Sequence, residues 1–236
     1  MRESFHDDLD RIGHQLVEMT NLAGSALSRA TRALLDANIA IAEDAIDDDG
    51  QIDQIRAEIE ADAFDLLARQ QPVATDLRVV VTALEMALDL ERMGDLAVHI
   101  AKVARLRYPS PVLPEPVRPI IEAMAENAGR NVAKASTTIA SRDADRAQEL
   151  ETDDDAVDEL HRELFRVLLS PDWAHGVQAA VDVTLLGRYY ERFSDHAVAL
   201  ARRIVYVVTG ELAEGGSVAM MSIGSAHVED LRGDVP

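Results

Sequence analysis

The chain repeats itself. At a separation of 105 residues, Leu16, Met19, Ala23, Gly24, Leu27, Ala30 and Leu34 fall on Ile121, Met124, Ala128, Gly129, Val132, Ala135 and Ile139. The same separation sets Asp49 on Asp154 and Asp53 on Asp158. Further along it contracts to 100, and Glu91-Arg92-Met93-Gly94-Asp95-Leu96-Ala97-Val98 falls on Glu191-Arg192-Phe193-Ser194-Asp195-His196-Ala197-Val198. The contraction places a shorter loop before the last segment of the second copy. Whatever the unit folds into, the chain folds into it twice.

The unit reads as helical. From Leu9 the apolar positions run Ile12, Leu16, Met19, Ala23, Ala26, Ala30, Leu34, Ala37 and Ile41 in steps of three and four, which predicts one long helix. A second helix is expected from about Asp49 or Gly50 to Arg69. A third follows Pro72, with Val80, Ala83, Ala87, Leu90, Gly94, Ala97, Ala101 and Ala104 on one stripe, and ends before Pro109. Residues 109–119 carry five of the chain's eight prolines, and no helix can pass through them. The pattern restarts at Ile121, gives a short helix from about Asp154 to Leu169, and reads Ser170-Pro171 as the N-cap and first residue of a last helix. That helix runs to about Val208, where Gly210 supplies a stop signal. The expectation is an all-α protein of two tandem three-helix bundles related by internal duplication: 1–108, a Pro-rich linker 109–119, 120–211, and a mobile tail 212–236.

Composition narrows the function. With no cysteine, thiolate metal sites, iron–sulfur clusters, disulfides and a cysteine nucleophile are excluded, so any metal must be held by oxygen or imidazole. A formal charge of -20 opposes binding to nucleic acid or anionic lipid. The first residues hold acidic side chains before any apolar run, and no segment approaches the roughly 18 apolar residues of a membrane span. A cytoplasmic protein without membrane insertion is expected, its partners being proteins, cations or small ligands. No phosphate-binding glycine loop or nucleophile elbow occurs, and no enzymatic activity is expected.

The repeated carboxylates are the candidate chemistry. Glu91 and Asp95, and Glu191 and Asp195, lie four apart, so each pair projects two like charges from one face at roughly 5–6 Å between Cβ atoms. Glu91 and Asp95 continue the apolar stripe Leu77, Val81, Leu84, Leu88, replacing hydrophobic residues with charge. A cation between them would relieve the repulsion, and oxygen donors suit Mg²⁺, Ca²⁺, Mn²⁺ or iron. Asp49 with Asp53, and Asp154 with Asp158, share the spacing. The alternative is a solvated helix face, or interhelical salt bridges to Arg92 and Arg192, since a chain with 43 acidic residues makes such pairs by chance. His99, one turn past Asp95, has Ala199 as its counterpart and is a weak ligand candidate. Only Glu3-Ser4-Phe5-His6 has the Glu-x-x-His spacing of di-iron bundles, at the chain end, which argues against an oxidase.

Taken together with Gln71-Pro72-Val73-Ala74-Thr75-Asp76-Leu77-Arg78 before the first motif and Tyr206-Val207-Val208-Thr209-Gly210 after the second, these segments resemble the PhoU family over about residues 5–211. Two departures are Gln70 inserted in the family's Arg-Gln-Pro and Ser194 where glycine is usual. The resemblance implies two three-helix bundles whose Glu/Asp-x-x-x-Asp motifs bind multinuclear metal clusters in some members. Here those positions are Glu91, Asp95, Glu191 and Asp195, with Asp49, Asp53, Asp154 and Asp158 as contributors and divalent or iron ions as ligands. It further implies a negative regulator of phosphate uptake and phosphate-responsive signalling. The implied partners are the ATPase subunit of a phosphate ABC transporter and a sensor histidine kinase. A metal-storing helical protein is the alternative reading, and exposed apolar shoulders on long helices leave a homodimer open.

Overall fold

A computed structural model describes residues 2–211, apart from the side chains of residues 2–4, 148 and 151–154. Among them are seven helices and no strand: α1 (Arg2–Asp36), α2 (Ile39–Asp47), α3 (Gly50–Gln70), α4 (Thr75–Arg107), α5 (Arg118–Ser141), α6 (Ala144–Leu168) and α7 (Gly176–Thr209). The residues that set the predicted stripes are the buried ones. Ile12, Leu16, Met19, Ala23, Ala30 and Leu34 of α1, and Val80, Ala83, Ala87, Leu90, Ala97, Ala101 and Ala104 of α4, all face the interior. The fold is the expected all-helical duplication, with α1–α4 forming the first unit and α5–α7 the second.

Three boundaries differ from the sequence reading, two of them in the same way. The first helix stops at Asp36, not Ile41, because Ala37 turns left-handed at φ 48° and the Asn38 side chain accepts from the Ile41 N–H at 3.2 Å, capping a new helix. The second unit repeats this: Arg142 has φ 52°, and Asp143 Oδ1 accepts from the Asp145 and Arg146 N–H groups. The second helix of each unit therefore starts at Ile39 and Ala144, about ten residues before the expected Asp49 and Asp154. These starts are themselves 105 apart. In the first unit the helix is interrupted at Asp48-Asp49, while in the second it is continuous. The third correction concerns Ser170-Pro171. Ser170 closes a turn, accepting from the Trp173 N–H at 3.0 Å, and α7 begins only at Gly176. The expected stop at Gly210 holds, with the glycine at φ 80°. Residues 212–236 lie outside the described residues.

The units are joined along their length, α1 packing on α5 and α4 on α7, and one hydrophobic core runs through both. α4 and α7 are antiparallel. Arg78 near the start of α4 donates to the Val207 carbonyl at 3.1 Å, and Arg107 at its end forms a two-pronged pair with Asp182, at 2.7 and 2.9 Å. Midway, buried Asp89 accepts from Arg203 Nε at 2.8 Å and lies 3.1 Å from His196 Nδ1, while Arg203 also reaches Glu85. Tyr190, fully buried, shares a 2.8 Å hydrogen bond with Thr31 of α1. The proline-rich connection is tied down as well, with Val112, Leu113 and Val117 buried and Arg118 donating to the Leu35 carbonyl at 3.1 Å. No helix among the described residues is long and apolar enough to cross a membrane.

Candidate functional site

Each repeated glutamate lies on the edge of its long helix that meets the second helix of its own unit. Glu91 Oε1 of α4 is 3.5 Å from Arg56 Nε of α3, and Glu191 Oε1 of α7 is 3.7 Å from His161 Nδ1 of α6. Residues 56 and 161 are 105 apart, so the duplication keeps the contact and changes the residue that makes it. The arginine partners also differ from those expected from the sequence. Glu191 is engaged by Arg188, one turn earlier, and the ion pairs of the two glutamates run to Arg56, His161 and Arg188 rather than to Arg92 and Arg192.

In the first unit the interruption between α2 and α3 points Asp49 at α4. A Cβ on Gly94 would stand 2.9 Å from Ile52 Cδ1 and 3.0 Å from Asp49 Oδ1, so only a glycine lets the two helices close this far. Asp49 is thereby set among like charges. Burial, then Asp53, Asp95 and Glu91, push its carboxyl above the ordinary range, with Lys102 pulling the other way. Of the four carboxylates expected from the sequence, Asp49 is thus within electrostatic reach of the other three. Among the described residues, however, no three His, Asp or Glu side chains are gathered closely enough to hold a single ion.

The second unit is built differently at every matched point. Ser194, in place of Gly94, is buried and its hydroxyl accepts from Asn131 Nδ2 at 2.7 Å. The close helix approach has moved to Gly187, where a Cβ would meet Leu164 Cδ2 at 2.5 Å and His161 Cδ2 at 3.2 Å. His161 Nε2 is buried there without a hydrogen-bond partner. Asp158 lies 3.8 Å from Arg162, and Asp195 is exposed. The side chain of Asp154 lies outside the described residues. His99 does not extend the acidic stripe: its Nδ1 is 2.6 Å from the Asp95 carbonyl and its ring packs on Tyr189.

Arg56, His161 and Arg188 are the site residues that sequence reasoning missed. A signal was present, since the 105-residue separation pairs Arg56 with His161, but only apolar and acidic positions were followed through it. For a hard cation the first unit has the appropriate donor chemistry, four carboxylates of which one is crowded by the rest. The second offers carboxylates, one imidazole and two competing arginines.

A duplicated all-α bundle with acidic Glu-x-x-x-Asp motifs at matched places on its long helices is the class of protein that the fold and these residues define. The PhoU domain model matches residues 16–104 and 121–204, and the chain belongs to the PhoU family. It is 48% identical over 210 residues to the phosphate-specific transport system accessory protein PhoU homolog 2 of Mycobacterium tuberculosis, covering 89% of this chain and 99% of the relative. Its identity to PhoU homolog 1 of Mycobacterium leprae is also 48%, over 218 residues, 92% of this chain and 98% of the relative. The crystal structure of PhoU from Pseudomonas aeruginosa superposes with a TM-score of 0.78 at 27% identity, covering 88% of this chain and all of that one. The chain is accordingly a PhoU-type accessory protein of a phosphate transport system.

Proposed function

We propose that this protein is a non-enzymatic adaptor in the cytoplasm that restrains phosphate uptake and phosphate-responsive signalling. It does so by contact with the ATPase subunit of a phosphate ABC transporter and with a sensor histidine kinase. The observation that carries the reading is the near-complete, 48% identical match to phosphate transport accessory proteins, which runs through both repeats. The acidic surface and helical scaffold suit protein partners better than nucleic acid or lipid. Within this reading, divalent or iron ions bind at the repeated carboxylates Glu91, Asp95, Asp49 and Asp53, and Glu191, Asp195, Asp158 and Asp154. The crowding around Asp49 is the support for it, because a bound cation would offset the repulsion and draw the side chains together.

The test is a reporter driven by a phosphate-starvation promoter in a host lacking its own copy of the gene. The protein should silence the reporter in phosphate-replete medium and leave it active on starvation. Unchanged expression in replete medium would refute the regulatory role. A phosphatase or oxidase activity that disappears with Glu91→Ala and Glu191→Ala would refute the adaptor reading, and uptake of iron far beyond a few ions per chain would favour metal storage.

A further inference from the structure

We infer that each repeat carries a docking surface at the hairpin between its last two helices, α3–α4 in the first and α6–α7 in the second. Together the two surfaces take a pair of identical elements, each an apolar helix flanked by basic side chains, from a partner protein that is itself two-fold symmetric. This rests on the adaptor reading and specifies where the contact is made and what the partner presents.

Exposed hydrophobic residues recur through the duplication. At the 105-residue separation Phe64 falls on Leu169, and at the 100-residue separation Val73, Leu77 and Val81 fall on Trp173, Val177 and Val181. Phe64, Val73, Leu77 and Val81 are 59, 74, 41 and 42% exposed. Leu169, Val177 and Val181 are 80, 81 and 52% exposed, and Trp173 is half-buried. Single apolar residues on a surface are ordinary, but exposure at the same positions of both copies is not. Each set lines one helix seam. Phe64 lies two turns beyond Arg56, and Leu169 two turns beyond His161, on the helix edge that reaches Glu91 or Glu191. Leu77 and Val81, like Val177 and Val181, are one turn apart at the start of the facing helix. In the second unit the turn between is held in place: the Trp173 N–H donates to the Ser170 carbonyl and its indole N–H to the Gly176 carbonyl, both at 3.0 Å. Trp173, Val167 and Pro116 wall a cavity of about 410 Å³ there, room for an anchoring side chain.

Charge and symmetry select the occupant. Glu60, Asp76, Glu91 and Asp95 border the first surface against Arg56 and Arg92. Glu163 and Asp172 stand at the cavity of the second, where Arg166 is tied to Glu159. With 43 acidic and 23 basic residues in the chain, the complement is an apolar helix with a basic rim, seated in a two-helix groove. A second copy of this chain would bring a charge of -20 against -20. The segment beyond Glu211 is single and cannot fill both surfaces. They lie at opposite ends of the α4–α7 seam, because the two helices run antiparallel, with Arg78 meeting Val207 and Arg107 meeting Asp182. Matched helices that pack in this way are related by an approximate two-fold axis across the seam. The stretch of α4 from Val81 to Arg107, level with Asp182, sets the surfaces about 40 Å apart at about 1.5 Å per residue. A partner of the same symmetry engages both with one kind of element and gains affinity from the double attachment.

The experiment measures binding of the full chain by interferometry, and stoichiometry by sedimentation velocity, against two purified probes: the ATPase subunit of the phosphate transporter and the cytoplasmic part of the sensor kinase. Leu77→Ser with Val81→Ser, and Val177→Ser with Val181→Ser, all at exposed positions, should each weaken binding by at least about tenfold, and the four together by more than about a hundredfold. Val73→Asp, in a turn outside any helix, should also weaken it, with circular dichroism unchanged throughout. One chain should bind per partner dimer, and the affinity should fall with added salt. Binding that survives the fourfold change, a loss confined to one pair, two chains per partner dimer, or an affinity that rises with salt would overturn the inference and leave the adaptor reading standing. So would a wild-type chain that sediments as a dimer and becomes a monomer when the four residues are changed, since the occupant would then be a second copy. A gain of affinity on Met220→Asp with Met221→Asp would overturn it too, making the occupant the chain's own C-terminal segment. If the wild-type chain binds neither probe, the adaptor reading itself fails and takes this inference with it.

Discussion

Asp89→Asn measures how firmly the two repeats are welded together. Asp89 sits at the α4–α7 seam with a side chain only 12% exposed, accepting from Arg203 Nε and facing His196 Nδ1. Removing one member of a buried ion pair typically costs about 3–5 kcal/mol. Two features reduce this here: Arg203 keeps Glu85 as a partner, and an asparagine carbonyl can still accept one hydrogen bond. A loss of about 2 kcal/mol follows, read as a shift in urea midpoint at constant slope. The loss should also depend on pH. Burial alone would raise the Asp89 carboxyl, but hydrogen bonds from His196 and Arg203 outweigh it and hold the group below the usual carboxylate range. A depressed folded value means the stabilisation is complete above the unfolded value of about 3.9 and fades as pH falls below it. The gap between wild type and variant should therefore be largest near neutrality and narrow toward pH 3. A loss under about 0.5 kcal/mol, the range of exposed pairs, or a gap constant down to pH 3, would refute the reasoning.

Five further substitutions probe the packing. Ala37→Gly and Arg142→Gly each relieve a left-handed non-glycine residue and should stabilise by about 0.5–1 kcal/mol in denaturant melts, whereas a loss would mean the side chains matter more than the turn. Gly94→Ala should destabilise by about 1 kcal/mol, the clash with Ile52 and Asp49 exceeding the gain in helix propensity. Gly129→Ala, with nothing within 4 Å of the new methyl, should stabilise by a similar amount. Tyr190→Phe leaves Thr31 without its partner and should cost about 1 kcal/mol. Burial, against the hydrogen bond to Thr31, raises the Tyr190 phenol, so an alkaline absorbance titration should show one tyrosine silent until the protein unfolds.

Much of this architecture was legible because duplication doubles every signal. The buried faces of α1, α4, α5 and α7 follow the apolar ladder, and Gly210 ends the last helix as read. Ala37 hid a chain reversal because alanine fits an apolar ladder as well as any residue, and the left-handed turn it adopts leaves no compositional mark. Asn38 and Asp143 were the available clues, both cap-forming and 105 residues apart. Ser170-Pro171 misled in the opposite sense, since the residues that start helices also make turns. At the site the carboxylates were visible, but their neutralising partners were not. Arg56 and His161 reach Glu91 and Glu191 from another helix, and that pairing depends on how closely the helices pack at Gly94 and Gly187.

The most direct test of the central chemical claim, that the carboxylates around Asp49 await a cation, is thermal unfolding of wild type and Asp49→Asn with and without Mn²⁺. Asp49 is penalised in the folded chain by burial and by its acidic neighbours, so without metal the variant should be as stable as wild type or slightly more so. Saturating Mn²⁺ should then raise the midpoint of wild type by several degrees and leave the variant nearly unmoved. A metal-free variant less stable than wild type, or equal Mn²⁺ shifts in both, would contradict the account.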